Sequence, residues 1–491
     1  MKKISLEKYF VGLSKDSLIY GLGNAVLRLL ALITAPIFTR IFVPADYGVI
    51  SLIASVISFL SIFLVFGMDN AIFVSYYQYK KERKEIISSA FWFLFSWGML
   101  LVIVFSLLSG TLSSLILKTD AYKILFLITL ATAFFNLLIS LSKVVYRLEF
   151  RAKTFAIIAG LNAILATGLT ILFVVYLHKG LMGYFEGQLI GTIVTMFVAL
   201  FLIRNNLSFS FSYPRLKEMV LFGSMVVPAS LSFFVFDLSD RFFINHYRNL
   251  TELGLYSIGI NIASLIAFFS YALGQAWSPQ VMKIYFDSRK VFNQFVPRFF
   301  VYYLIFFFTL ATVIATFGEE ILRIFTTPKY YSAATVIGPL VIAMVFSASN
   351  QITSLGITLS RKTKFLAFYT ACAAVLNICL NFLLIPKYGM IGAAWATASS
   401  YLFLTITYFL NSQKFIHLKI DWSKILKITV LSLTVIIVGP IFCHYSFWQN
   451  FSIKIFEILV FISLLYLIGV IEKQEIDYLK IILKRFLKRS T

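Results

Sequence analysis

Apolar runs of about twenty residues, parted by short polar segments, fill this chain almost from end to end. They read as helices at 16–38, 48–68, 87–109, 123–146, 154–177, 185–203, 218–237, 254–274, 297–317, 334–355, 364–385, 389–410, 424–441 and 453–471. Each is long enough to cross the hydrocarbon core of a bilayer, which takes about 20 mostly apolar residues. A soluble fold has no interior large enough to hide them all. Hydrophobic residues make up 60% of the 491, and charged residues only 13%, about half the share of an ordinary soluble chain. The expected fold class is therefore an all-α polytopic membrane protein with about fourteen spans. The bilayer is its first partner, and no connection is long enough for a soluble domain. Met1 to Ser14 is short, charged and without a small-residue cleavage site, so the first run is expected to be a permanent span.

The net charge of +22 fits this reading. With the N-terminus placed in the cytoplasm, about 32 of the 43 Lys and Arg residues fall on cytoplasmic segments and about 10 on outside loops. The clusters Lys80, Lys81, Arg83, Lys84 and Arg361, Lys362, Lys364 are examples. This is the positive-inside pattern, and it recurs loop after loop, which supports an even span count with both termini cytoplasmic. The charge is a topology signal and calls for no nucleic-acid partner. The tail after 471 carries Ile476, Leu479, Ile482, Leu483, Phe486 and Leu487 at helical spacing, with Lys and Arg between them. It reads either as an interfacial amphipathic helix on anionic lipid or as a plain basic tail. Cys372, Cys379 and Cys443 and four scattered His form no disulfide or metal pattern, and no G-x-x-x-x-G-K-[ST] loop is present. No cofactor or metal is expected, nor ATP as a direct energy source.

An internal repeat adds organisation. Gly180-Leu181-Met182-Gly183 joins spans five and six, and Gly389-Met390-Ile391-Gly392 joins spans eleven and twelve. Asp46-Tyr47-Gly48-Val49-Ile50-Ser51 opens span two, and Glu252-Leu253-Gly254-Leu255-Tyr256-Ser257 opens span eight. An even number of spans per repeat gives both copies the same orientation, related by a pseudo-twofold along the membrane normal, with a central site expected between them. The expected division is a six-helix bundle at 1–203, a second at 204–410, two further helices at 411–471 and a basic tail at 472–491.

Three stretches then carry a resemblance: LIYGLGNAVLRLLALITAPIFTRIFVPADYGVISL at 18–52, TELGLYSIGINIA at 251–263 and IPKYGMIGAAWATASSY at 385–401. They resemble the polysaccharide transporter family of the multidrug/oligosaccharidyl-lipid/polysaccharide (MOP) exporter superfamily, whose best-known members are Wzx-type O-antigen flippases. The resemblance extends to the 12+2 helix count. It implies a MATE-like pair of bundles opening alternately to either side. It also implies translocation of an undecaprenyl-diphosphate-linked oligosaccharide, an O-antigen or capsule repeat unit, from the cytoplasmic to the periplasmic leaflet of a bacterial inner membrane. Other glycan-assembly membrane proteins are possible partners on this reading.

Charges deep in a span are costly and point to function. Arg28 lies about ten residues, or about 15 Å, from either end of span one, too deep for its side chain to reach water along the helix. It reads as a bidentate cation for the lipid diphosphate or as half of an internal ion pair. Arg40 ends the same span, and Asn24 lies one turn before Arg28. Asp69 is either a cavity carboxylate or a helix-end residue. Asp237, Asp240 and Arg241 close span seven on one helical face, as a local ion pair or as a gate or cation-coupling site for H+ or Na+. Glu186 opens span six and would exchange a proton only if buried. Asn162, with Asn261, Asn350, Gln351, Asn377 and Asn381, either binds sugar hydroxyls or joins helices. Pro228 interrupts span seven as a static bend or a gating hinge. The rival readings are a MATE-like cation or drug exporter, a membrane glycan polymerase or ligase, and a lipid scramblase or assembly scaffold.

Overall fold

The computed structural model describes residues 33–439 and 447–470. Asn24, Arg28, Cys443 and the tail at 472–491 lie outside these described residues. After the end of the first helix (α1, 33–41) come α2 (Pro44–Val65), α3 (Met68–Gln78), α4 (Arg83–Leu107), α5 (Ser109–Leu117), α6 (Lys123–Leu148), α7 (Ala152–Ile171) and α8 (Gly180–Ile203). The chain continues with α9 (Tyr213–Tyr247), α10 (Leu250–Asp287), α11 (Arg289–Thr316), α12 (Gly318–Phe325), α13 (Ala334–Thr353), α14 (Leu355–Leu359), α15 (Lys364–Phe415), α16 (Trp422–Val438) and α17 (Phe447–Leu467). Among the described residues, 11 helical stretches are long and apolar enough to cross a membrane. One of them, α15, has 52 residues and breaks at Gly389, so it holds two crossings.

The helices carry lipid-facing and packing stripes at helical spacing. On α8, Ile190, Val194, Phe197 and Phe201 are exposed along one side, where hydrocarbon is the solvent. On the other side Gly187 and Gly191 press against the backbone of Thr170 and Ala166 in α7. That small-xxx-small contact lets two helices approach closely, and close packing drives helix association in a membrane. In the second half, α13 is wedged among α10, α11 and α15, with Val336, Ile337, Val341, Ala343 and Val345 fully buried.

The repeat motifs meet in space. Asp46 accepts the Val43 amide at 3.0 Å at the start of α2, and Asn249 accepts the Glu252 amide at 2.9 Å at the start of α10. The two starts cross so closely that a Cβ on Gly48 would strike the Leu250 carbonyl, and one on Gly254 the Pro44 carbonyl. The contact is reciprocal, each glycine facing the backbone of the other helix start. Glu252 also accepts the Met390 amide at 3.1 Å, while Arg248 donates to the carbonyls of Pro386 and Lys387, each at 3.0 Å. These two side chains satisfy backbone groups that the break at Gly389 (φ 56°, ψ −137°) leaves open.

Two expected spans proved longer. The apolar runs end span seven at 237 and start span eight at 254, but α9 stays helical to Tyr247 and α10 begins at Leu250. Asp237, Asp240 and Arg241 therefore sit inside a helix, because no glycine or cap interrupts it before Asn249. Helix α9 also runs on through Pro228.

The last described helix, α17, is fastened by a buried ion pair. Lys454 of α17 donates to both carboxylate oxygens of Glu320 in α12, each at 2.8 Å, with the side chains 6% and 7% exposed. Removing one member strands the other as a buried charge, which costs about 3–5 kcal/mol. Lys454→Met is expected to lower the thermal midpoint of the detergent-solubilised protein. Adding Glu320→Leu is expected to restore most of the loss. For the helix crossing, Gly254→Leu is expected to destabilise by at least about 1–3 kcal/mol through overpacking, read by the same melting measurement.

Candidate functional site

The two halves meet along a seam of α2 against α9 and α10. Near one end of this seam lies a cavity of about 200 Å³. Thr34, Phe38 and Phe42 reach it from α1 and the turn that follows, Tyr47 and Ile50 from α2, and Thr167 and Thr170 from α7. Tyr184 and Gln188 come from α8, and Asn261 of α10 is the contribution from the second half. At a rise of about 1.5 Å per residue, Gln188 and Asn261 lie roughly 12–16 Å down their helices, about halfway across a hydrocarbon core.

One wall of the cavity is aromatic. Tyr184 stands edge-on to Phe38 (5.8 Å between ring centroids) and to Phe42 (6.3 Å), and Phe42 edge-on to Tyr47 (6.2 Å). On this side the 326–331 segment packs on the end of α1 and the start of α2. Tyr330 donates to the Phe42 carbonyl at 2.9 Å, Tyr47 packs on the Tyr330 ring, and Thr327 donates to the Thr39 carbonyl at 3.2 Å. No Asp, Glu, Lys or Arg lines the cavity among the described residues.

A charged network continues down the same seam. Asp240 is 4% exposed and accepts a hydrogen bond from the fully buried Tyr256 hydroxyl. Arg241 approaches Asp240 at 3.7 Å, donates to the Asp237 carbonyl at 3.1 Å, and reaches across to Ser51 of α2 at 3.2 Å. Tyr401 donates to Asp237 at 3.4 Å. Beside them Ser239 and Asn381 both donate to the Asn377 amide oxygen, at 3.0 and 2.9 Å, and the Asn381 oxygen has no partner. These are groups from α9, α10 and α15 gathered where the halves touch. Tyr256→Phe removes a hydrogen bond to a buried carboxylate and is expected to destabilise by about 1.5–3 kcal/mol, measured by thermal unfolding.

At the opposite end, Arg215 of α9 clamps Glu82 through two hydrogen bonds (2.6 and 3.1 Å) and stacks 3.7 Å over Tyr79. The guanidinium holds the exposed Glu82 carboxyl below the usual carboxylate range. This clamp also joins the two halves.

The other candidates fall in varied places. Glu186 is ion-paired with Lys179 at 2.6 Å. Asp69 lies in the first turn of α3, where the helix N-terminus favours a carboxylate, within electrostatic reach of Arg147 and Lys143. Asn162 donates to Asn136 at 3.3 Å and so joins α7 to α6, and Arg40 is exposed. None of these four lines the cavity. The lining residues Thr167, Thr170, Tyr184 and Gln188 had not been singled out. Their signal in the sequence is slight: the polar Gln188 within an apolar span, with Tyr184 one turn before it.

The architecture defines a class: a polytopic, all-α membrane fold. It superposes on a solved structure of the lipid II flippase MurJ, in an inward closed conformation, with a TM-score of 0.73 at 20% identity, covering 91% of this chain and 98% of that one. It also matches an inward-facing multidrug resistance MATE transporter of the MOP superfamily, with a TM-score of 0.66 at 15% identity, covering 79% of this chain and 97% of that one. Residues 37–333 match the family described as polysaccharide biosynthesis protein, and the chain belongs to that family. Among curated proteins it is 24% identical over 295 residues to an uncharacterized membrane protein of Methanocaldococcus jannaschii, covering 57% of this chain and 55% of that protein. It is also 24% identical over 260 residues to a probable low-salt glycan biosynthesis flippase of Haloferax volcanii, covering 52% of this chain and 53% of the relative. The matched stretches thus span about half the length of these relatives.

Proposed function

We propose that this protein is a flippase for a polyprenyl-diphosphate-linked oligosaccharide, an O-antigen or capsule repeat unit. It would carry the headgroup from the cytoplasmic to the periplasmic leaflet of a bacterial inner membrane by alternating access. The observation that carries this reading is membership of the polysaccharide biosynthesis family on an exporter fold. A relative named as a glycan biosynthesis flippase, and another named as a capsular polysaccharide biosynthesis protein of Staphylococcus aureus, support it. A cavity without acidic lining among the described residues argues against a cation exporter, which would need carboxylates to compensate its cargo. The charge asymmetry of the loops supports both termini in the cytoplasm.

In this mechanism the bundles at 1–203 and 204–410 rock about the α2–α10 crossing while the polyprenyl tail stays in lipid. Arg28 is the proposed cation for the diphosphate, because a guanidinium matches phosphate oxygens in pairs. The carboxylates of Asp237 and Asp240, beside the amides of Asn377 and Asn381, offer the oxygen-rich environment that coupling to H+ or Na+ would use.

The test uses the full chain in liposomes containing a fluorescent polyprenyl-diphosphate oligosaccharide, with a membrane-impermeant quencher added outside. The protein is expected to move substrate between leaflets, so that the quenched fraction rises beyond the half set by random insertion. Arg28→Ala is expected to slow this by about tenfold or more, the value of a charge-assisted hydrogen bond, and Arg28→Lys by less. No protein-dependent change would remove the flippase reading. Unchanged rates in both variants would remove the diphosphate role of Arg28.

A further inference from the structure

We infer that the cavity bounded by α1, α2, α7, α8 and α10 is a subsite for one neutral sugar ring. This rests on the flippase reading and gives that reading a substrate contact. The first argument is hydrogen bonding. The side-chain polar groups of Tyr47, Tyr184, Thr167, Gln188 and Asn261 make no hydrogen bond to another described residue, although all five line the cavity. Polar side chains elsewhere in the spans are partnered, as Thr195 is to the Gly191 carbonyl and Tyr303 to the Ala348 carbonyl. At membrane depth an unpartnered polar group is costly. Five such groups converging on one space make it a site for something with many hydroxyls. They exclude a hydrocarbon tail, which would leave all five dry and unpaired.

The second argument is the mixed lining. The rings of Phe38, Phe42, Tyr47 and Tyr184 form one wall, and hydroxyls and amides the remainder. A pyranose has the matching character, with apolar C–H faces and a rim of hydroxyls that both donate and accept. Gln and Asn amides do the same, and each Tyr and Thr hydroxyl adds a donor and two acceptor lone pairs.

Charge and size narrow the ligand. No ionised side chain lines the space among the described residues, so among them neither a diphosphate nor a sugar acid finds a counter-charge. The volume, about 200 Å³, is below the roughly 300–1,000 Å³ of pockets that take drug-sized ligands. It suits a single ring and not a whole oligosaccharide. Because Asn261 belongs to the second half and the other lining residues to the first, a bound ring would also bridge the seam and so read its state.

The experiment uses the full-length protein in nanodiscs and saturation-transfer NMR with methyl glycosides as probes: the neutral methyl glucoside, galactoside and N-acetylglucosaminide, and the anionic methyl glucuronide. Irradiating aromatic protons is expected to saturate the ring protons of at least one neutral glycoside and not those of the glucuronide. Gln188→Leu with Asn261→Leu is expected to weaken that glycoside by about tenfold or more, the loss of two net hydrogen bonds. Tyr184→Phe keeps the ring and its packing and is expected to weaken it by a few-fold, which guards against misfolding of the double variant. No transfer to any neutral glycoside, equal transfer to the glucuronide, or undiminished transfer in both variants would overturn the inference. The probes carry neither lipid nor diphosphate, so binding is read without translocation. A protein that flips substrate but binds no glycoside loses only this subsite. One that binds glycosides but fails the liposome assay loses only the flippase reading.

Discussion

A bilayer interior offers no water to satisfy backbone polar groups, and every part of this structure answers to that constraint. It makes the crossings helical and puts Phe197 and Phe201 on the outside of α8. It also explains why the break at Gly389 is dressed by two charged side chains. Glu252 takes the free Met390 amide, and Arg248 takes the free carbonyls of Pro386 and Lys387. Both residues lie near the start of α10, so the element that crosses α2 also supports the turn of α15. The buried pair of Lys454 and Glu320 follows the same rule, since neither charge would persist there alone.

The seam between the halves combines two kinds of contact. At the crossing of Gly48 and Gly254, backbone meets backbone with no side chain between, so the halves are close and the geometry is sharply defined. A turn further along, contact passes to a polar pair, Arg241 on Ser51, backed by Tyr256 on Asp240. A rigid crossing beside a polar network joins two kinds of contact that respond differently to tilt. Polar contacts can exchange partners as the helices tilt, whereas glycine contacts only separate. The clamp of Arg215 on Glu82 ties the halves at the far end of α9.

Much of the fold was legible because its signals are long-range averages. Span length, loop charge and the matched glycine motifs each draw on many residues, and a few errors do not move them. The ends of α9 and α10 were misjudged for a local reason. Asp237, Asp240 and Arg241 look like residues leaving a membrane, yet Asp240 is buried against Tyr256 of α10 and Asp237 meets Tyr401 of α15, which a single helix cannot reveal. Of the cavity lining, the sequence singled out Asn261 as a polar amide within a span, whereas Arg28 lies outside the described residues. Thr167, Tyr184 and Gln188 belong to two helices and resemble ordinary span residues until those helices are packed.

The apolar spans, the helical class and the family resemblance could be read from the sequence, because hydrophobic length and motif spacing are properties of a chain read in order. Only the tertiary structure decided which side chains share a space. It paired Glu186 with Lys179, folded Asp240 into a network with Tyr256, and turned the unpartnered groups of Tyr47, Gln188 and Asn261 toward one cavity. Those choices depend on how helices far apart in sequence rotate against one another. That rotation is set by close packing at a few small residues, which spacing along a single chain does not disclose.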